Sequence, residues 1–249
     1  PKTRNYFADE WIESYMGIFN LLLQEHIEFE IVTPRTLSTA KNNVMVLPDV
    51  KCLSDEEYAL FNVWLKNGKA LIYTGETGHY NAKREKSANP NRMQELSNMY
   101  PNATRISGNP ERVFYQFLKK SYDLSAQKGK NPVYDNKELL DLLGQIRNSK
   151  FYSPAVLIEN ADVCAVQIAS VNDKPTVFLA NFSGLKGRIN ANPKPCKDII
   201  VTFKTSKRKA NAVFIPFMGK SQKIKGEWKQ GTLKIALPEI FRGCIVQLE

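Results

Sequence analysis

Three residues in the first third of the chain carry side chains suited to acid–base chemistry: Asp49, Glu76 and His79. Asp49 follows Leu47-Pro48, and Glu76 lies within Gly75-Glu76-Thr77-Gly78, three residues before His79. Two carboxylates on either side of a glycosidic bond can act as acid and base. A tight glycine-flanked turn after a strand is also where a nucleophile elbow forms. That elbow needs Ser or Cys between the glycines, and this turn offers Glu76 and Thr77. Three readings follow: a structural turn, a ligand contact, or a hydrolase using Glu76 with Asp49 or His79. The turn reading is favoured, because acids at strand ends are common. No Walker or dinucleotide-type glycine loop is present, so no cofactor is expected.

The other reactive types are scattered. Cys52, Cys164, Cys196 and Cys244 form no C-x-x-C pair, and His26 and His79 lie far from all of them, so zinc is not expected. Buried free thiols are the expectation, with a Cys196–Cys244 disulfide only if the fold brings those two together. His26 reads as a helix-end histidine. Trp11, Phe61 and Trp64 fall on apolar helix faces. Trp228 reads as an aromatic packing across a hairpin rather than stacking on a sugar ring.

The net charge of +10 is concentrated. Between Lys186 and Lys234 there are thirteen Lys/Arg and only Asp198 and Glu227 as acids. Such a stretch could bind a polyanion. Its lysines alternate with apolar residues, as in Lys223-Ile224-Lys225 and Leu233-Lys234-Ile235, which is the pattern of a solvated sheet face. Nucleic acid is therefore not the expected partner. Apolar runs such as Ile18–Leu23 are too short to cross a bilayer, and the compartment stays open.

These residues need a scaffold, and the periodicity supplies one. Apolar positions at steps of three and four predict a helix over 8–25. Strands are predicted at Phe29–Val32, Val44–Leu47 and Ala70–Tyr73. Ser54 and Glu57 have capping-box spacing, so a helix runs from there to Asn67-Gly68. Strand, helix and strand with short joints predict parallel neighbours. His79 to Asn91 reads as an exposed loop. Further helices are expected at Arg92–Met99, Pro110–Lys119 and Asn136–Arg147, with an excursion at Gln127–Pro132. After Lys150 seven short strands follow: Val156–Glu159, Val163–Val171, Thr176–Asn181, Ile199–Lys204, Ala212–Pro216, Leu233–Leu237 and Cys244–Leu248. The expected organisation is an α/β domain over 1–150 and a β-sandwich over 151–249. Pro1–Phe7 is not a convincing first strand, which hints at a fragment of a longer polypeptide.

Residues 4–78 resemble the trimerisation domain of glycoside hydrolase family 42 β-galactosidases. That domain is similar in fold to class I glutamine amidotransferases. The segments Val46-Leu47-Pro48-Asp49 and Trp64 to Gly78 carry the likeness most clearly. The closing strands, with Val177 to Phe182 and Ile245 to Leu248, resemble the C-terminal β domain of such glycosidases. The resemblance implies a three-layer, flavodoxin-like parallel sheet followed by an immunoglobulin-like sandwich. It also implies a non-catalytic role in subunit assembly or in shaping a carbohydrate site. The amidotransferase cysteine would fall near Glu76 or Thr77 and is absent, and no barrel is present to carry the family's catalytic glutamates. Implied partners are further copies of the chain, an adjacent catalytic barrel, or carbohydrate. The contact loops would be Asp49 to Leu53 and Gly75 to Arg84, with Asp49, Lys51, Gly75, Glu76, Thr77, Gly78, His79, Tyr80 and Arg84 as the residues concerned.

Overall fold

In the computed structural model of the chain, the residues described are 8–40, 42–120, 136–150, 152–186, 189–190, 192–208 and 211–249. They divide into two compact units. The first holds the chain up to Asn20, then Glu30–Lys120 and the stretch up to Ser153. The second holds Leu21–Phe29 and Pro154–Glu249. Among the described residues, no helix is long and apolar enough to cross a membrane. The 1–7 and 127–132 expectations lie outside the described residues.

The first unit is built on a parallel sheet of β1 (Val44–Leu47), β2 (Ala70–Tyr73) and β3 (Ala103–Arg105), in that order. The connections between them are helical, as parallel pairing requires. α1 (Ala8–Gln24) comes before the sheet. α2 (Asp55–Lys66) links β1 to β2, α3 (Arg92–Met99) precedes β3, and α4 (Pro110–Lys120) and α5 (Lys137–Arg147) follow it. The Ser54–Glu57 capping box at the start of α2 forms in both directions. All four residues of β2 are buried, as a central strand covered on both faces must be. One face carries Met45, Leu47, Leu71, Tyr73 and Ala103 against Phe61, Trp64, Leu65, Met93 and Leu96. The indole of Trp64 donates to the Ala70 carbonyl at 2.9 Å, which satisfies its one polar group inside this core. α5 packs toward β2 and α4.

The expected strand at Phe29–Val32 is not there: these residues pair with nothing in a ladder. Period-two apolarity in a four-residue run is not enough without a neighbouring strand to share hydrogen bonds. In compensation β3 is a strand the sequence hides, since Ala-Thr-Arg is short and polar and is recognised only by its pairing to Leu71, Ile72 and Tyr73.

The second unit is all antiparallel. β4 (Val156–Glu159), β9 (Ile200–Lys204), β13 (Thr232–Ala236) and β12 (Glu227–Lys229) make a four-stranded sheet in the order β12-β13-β9-β4. β5 (Cys164–Val171), β6 (Lys174–Asn181), β14 (Gly243–Leu248), β10 (Asn211–Pro216) and β11 (Gln222–Lys225) make a five-stranded one in the order β11-β10-β14-β6-β5. A two-stranded ribbon, β7 (Leu185–Lys186) with β8 (Ile189–Asn190), lies in the β6–β9 connection. Val166, Ile168, Val177, Leu179, Ala212, Phe214 and Val246 from the larger sheet share one core with Val156, Val201, Phe203, Leu233 and Ile235 from the smaller. Alternation puts Leu233 and Ile235 inside and Lys234 outside, as period two demands.

Four features of this unit bear on the sequence expectations. Trp228 sits opposite Leu233 in the β12–β13 pair, packs against the core, and donates to the Thr205 carbonyl at 3.3 Å. His26 occupies the left-handed position after α1 (φ 55°), where Ile27 N–H reaches back to the Leu22 carbonyl in a Schellman arrangement. Its Nε2 donates to the Cys164 carbonyl at 3.1 Å, so it is a structural helix-end histidine. All four cysteines, Cys52 of the first unit included, are buried and outside any disulfide, and the sulfur of Cys196 lies 3.7 Å from that of Cys164.

Candidate functional site

The carboxyl ends of β1 and β2 are the edge where open α/β sheets bind ligands, and a cluster of charged side chains gathers there. Asp49, directly after β1, is fully buried and adopts a left-handed backbone (φ 47°). Such a conformation in a non-glycine residue persists only where surrounding contacts hold it. Here its N–H donates to the Thr74 hydroxyl at 3.0 Å, and its Oδ1 accepts from the Glu76 N–H at 2.8 Å. Its Oδ2 is ion-paired with Arg112 of α4. Gly75 (φ 58°) makes this possible, since a Cβ there would collide with the Asp49 and Asn109 side chains.

Lys51 is the hub. Its ammonium lies 2.6 Å from Glu10 of α1, 2.7 Å from Glu76 and 3.9 Å from Asp49, with the side chain only 8% exposed. Burial works against its charge, but the Glu10 and Glu76 hydrogen bonds and the Asp49 carboxylate outweigh that and hold its pKa above the ordinary lysine value. Glu76 is half exposed, and its contact to Lys51 holds its carboxyl below the usual range. Burial pushes Asp49 upward, against the opposing pull of the Glu76 N–H, Lys51 and Arg112.

Beneath this cluster lies Glu111, fully buried in the first turn of α4. One of its oxygens accepts from the Thr74 hydroxyl at 2.8 Å. The other, Oε2, has no hydrogen-bond partner among the described residues, and neither does the buried Ser14 hydroxyl of α1. Ser14 is near enough to favour the charged form slightly, yet makes no bond of normal geometry with it. Burial pushes Glu111 up to about 7, although its position at a helix start, the Thr74 hydroxyl and its own amide all oppose that.

The two loops are stitched together beyond the cluster. Val50 N–H donates to the Thr77 hydroxyl at 3.1 Å, Gly78 N–H to the Val50 carbonyl at 3.0 Å, and Tyr80 N–H to the Lys51 carbonyl at 2.9 Å. Tyr80 also bridges to Lys86, so part of the expected open loop from His79 to Asn91 is pinned in short ladders. His79 sends its backbone N–H to the Glu76 carbonyl at 3.1 Å, and its imidazole lies near enough to Glu76 to favour the ionised carboxylate. Arg84 sits on an exposed turn organised by Asn81.

Asp49, Lys51 and Glu76 are thus brought together, His79 joins them through its electrostatic effect on Glu76, and Arg84 sits on its exposed turn. Sequence reasoning missed Glu10, Ser14, Thr74, Glu111 and Arg112. The helix positions of Glu10 and Arg112 carry no motif, and only the fold brings α1 and α4 to this edge. Among the described residues, no group of three His, Cys, Asp or Glu side chains is arranged to hold a metal ion.

No family model matches the chain, and no curated protein is detectably similar in sequence. Solved structures are similar in fold. The α-L-fucosidase isoenzyme 2 from Paenibacillus thiaminolyticus matches with a TM-score of 0.62 at 13% identity, over 95% of this chain and 45% of that one. A β-galactosidase from Bacillus circulans sp. alkalophilus matches with a TM-score of 0.50 at 11% identity, over 96% of this chain and 37% of that one. The chain therefore spans less than half the length of either glycoside hydrolase.

Proposed function

We propose that these residues form a non-catalytic accessory region of a glycosidase-like protein, serving subunit assembly or shaping a carbohydrate site. The first unit is taken as a three-layer, flavodoxin-like domain of the class I amidotransferase type, comparable to the trimerisation domain of family 42 β-galactosidases. The second is taken as an immunoglobulin-like sandwich. The in-line order β1-β2-β3 is what three successive strands on one side of a doubly wound sheet would give.

One observation carries the non-catalytic reading. Asp49, the only partner carboxylate Glu76 has at the sheet edge among the sequence candidates, is fully buried, with one oxygen on the Glu76 amide and the other on Arg112. An acid–base pair must reach the reacting atoms within a few ångströms, and Asp49 presents no surface to do so. The cluster reads instead as a brace that fixes the two loops, leaving Glu76, His79, Tyr80 and the 81–86 turn as the outward contact surface.

A polyanion-binding role for the basic stretch has less support. Lys204 and Lys234 lie on the four-stranded sheet, Lys223 and Lys225 on the five-stranded one, and Lys197, Lys223 and Lys234 pair with Glu239, Glu249 and Glu159.

The test has two arms. The purified 249-residue chain is assayed on aryl glycosides and on glutamine, and its mass in solution is followed by light scattering over a wide concentration range. No turnover together with concentration-dependent assembly is expected. Turnover that is lost in Glu76→Gln would overturn the accessory reading, and a chain that stays monomeric throughout would remove the assembly half of it.

A further inference from the structure

Outside the sheet-edge cluster, the sulfurs of Cys164 and Cys196 lie 3.7 Å apart in the buried core of the second unit. Cys164 opens β5, and Cys196 lies 32 residues later in the connection that leads to β9. Sulfurs at van der Waals contact need to approach by less than the length of one bond to reach the ~2.05 Å of a disulfide.

Both backbones are held in place independently of the sulfurs. Cys164 N–H donates to the Ala161 carbonyl at 2.8 Å, and its own carbonyl accepts from His26. Cys196 exchanges a pair of hydrogen bonds with Ile240, at 2.8 and 2.9 Å. Buried Asn181 ties the same region together: its side-chain amide donates to the Lys194 carbonyl at 2.8 Å and to the Phe241 carbonyl at 2.7 Å. The sulfur contact is therefore a property of the folded chain and not of two freely moving loops. Cys244 lies in the same core, near enough to raise the Cys164 thiol, and Cys52 belongs to the first unit.

We infer that Cys164 and Cys196 form a disulfide when this chain folds in contact with a disulfide oxidant, while Cys52 and Cys244 remain thiols. The chemistry is two exchange steps. One cysteine, as thiolate, attacks oxidised glutathione and releases one glutathione thiolate. The second cysteine then attacks the mixed disulfide and releases the other. The two cysteine protons end on the two glutathione molecules, the protein loses two electrons, and the oxidant gains them. The Cys196 neighbour and burial both push the Cys164 thiol upward, so exchange belongs to the folding chain or to a local opening rather than to the closed core. The bond would staple β5 to the β6–β9 connection.

The whole 249-residue chain is refolded from denaturant in a mixture of reduced and oxidised glutathione. Remaining thiols are then alkylated and a peptide map is run without reductant. The expected product is two hydrogens lighter, with the Cys164 and Cys196 peptides joined and Cys52 and Cys244 alkylated. Its thermal midpoint should exceed that of the dithiothreitol-treated sample by roughly 10 °C. Cys244→Ser should keep both the link and the shift, and Cys196→Ser should lose both. Refolded protein with all four thiols alkylated, or with a link that involves Cys244 or Cys52, would overturn the inference. The wild-type peptide map decides the matter even if a variant fails to fold.

Discussion

Glu111 is an acid held entirely out of water. Its carboxyl is buried, one oxygen is without a partner among the described residues, and its pKa is pushed up to about 7 by burial. An unfolded chain releases this proton near the ordinary value of 4.5, whereas the fold keeps it. The native state therefore binds more protons than the unfolded state between those values. The contribution is fully present at more acid pH and is lost as pH rises from 4.5 to about 7, by ~3 kcal/mol in all. Burial moves Asp49 in the same direction, so the comparison with a variant matters more than the raw curve. Glu111→Gln removes the titration and keeps the shape. Urea unfolding at a series of pH values should show the wild type losing stability across that window relative to the variant. Parallel curves would mean that Glu111 is already ionised in the fold. None of this is legible in the sequence, where Pro110-Glu111-Arg112 is an ordinary helix start. The shift exists because the fold buries this carboxyl and brings the Asp49 charge near it, against the opposing pull of Thr74 and Ser14.

At the scale of elements, much could be read from local chemistry. The capping box of α2, the Asn136 cap of α5 and the alternating strands of the second unit are set by residues close in sequence, and they form. The misses have a common cause. β3, β11 and β12 are short and polar, and their strand state comes from a neighbour's hydrogen bonds, while Phe29–Val32 has the pattern but no neighbour. Helix contacts are equally hidden. Gly17 of α1 lies against the backbone of Glu111, where any Cβ would overlap the Glu111 carbonyl. Gly144 of α5 faces open space, with only the Asn148 side chain at 3.8 Å. The same substitution should thus act in opposite directions. Gly17→Ala should cost about 2 kcal/mol or more by forcing α1 and α4 apart. Gly144→Ala should gain up to ~1 kcal/mol from helix propensity. Urea midpoints with unchanged slopes would measure both, and two shifts of the same sign would refute the close approach at Gly17.

At the scale of the molecule, two compact units of different class share one chain whose fold matches less than half of each similar glycoside hydrolase. The densest run of positive charge, Lys186 to Lys234, belongs to the second unit, and its placement there has a use apart from any ligand. β11 and β12 each end a sheet, and an edge strand offers unpaired N–H and C=O groups to any passing strand. β11 reads Gln-Lys-Ile-Lys and β12 Glu-Trp-Lys, with Lys223, Lys225 and Lys229 exposed. A second copy approaching either edge would bring like charges together as its hydrogen bonds began to form. The lysines therefore guard against runaway strand-to-strand aggregation. Replacing Lys223 and Lys225 together by Val should leave the core intact and make concentrated samples turn cloudy on gentle warming, whereas a sample that stays clear would leave those two charges without this protective task.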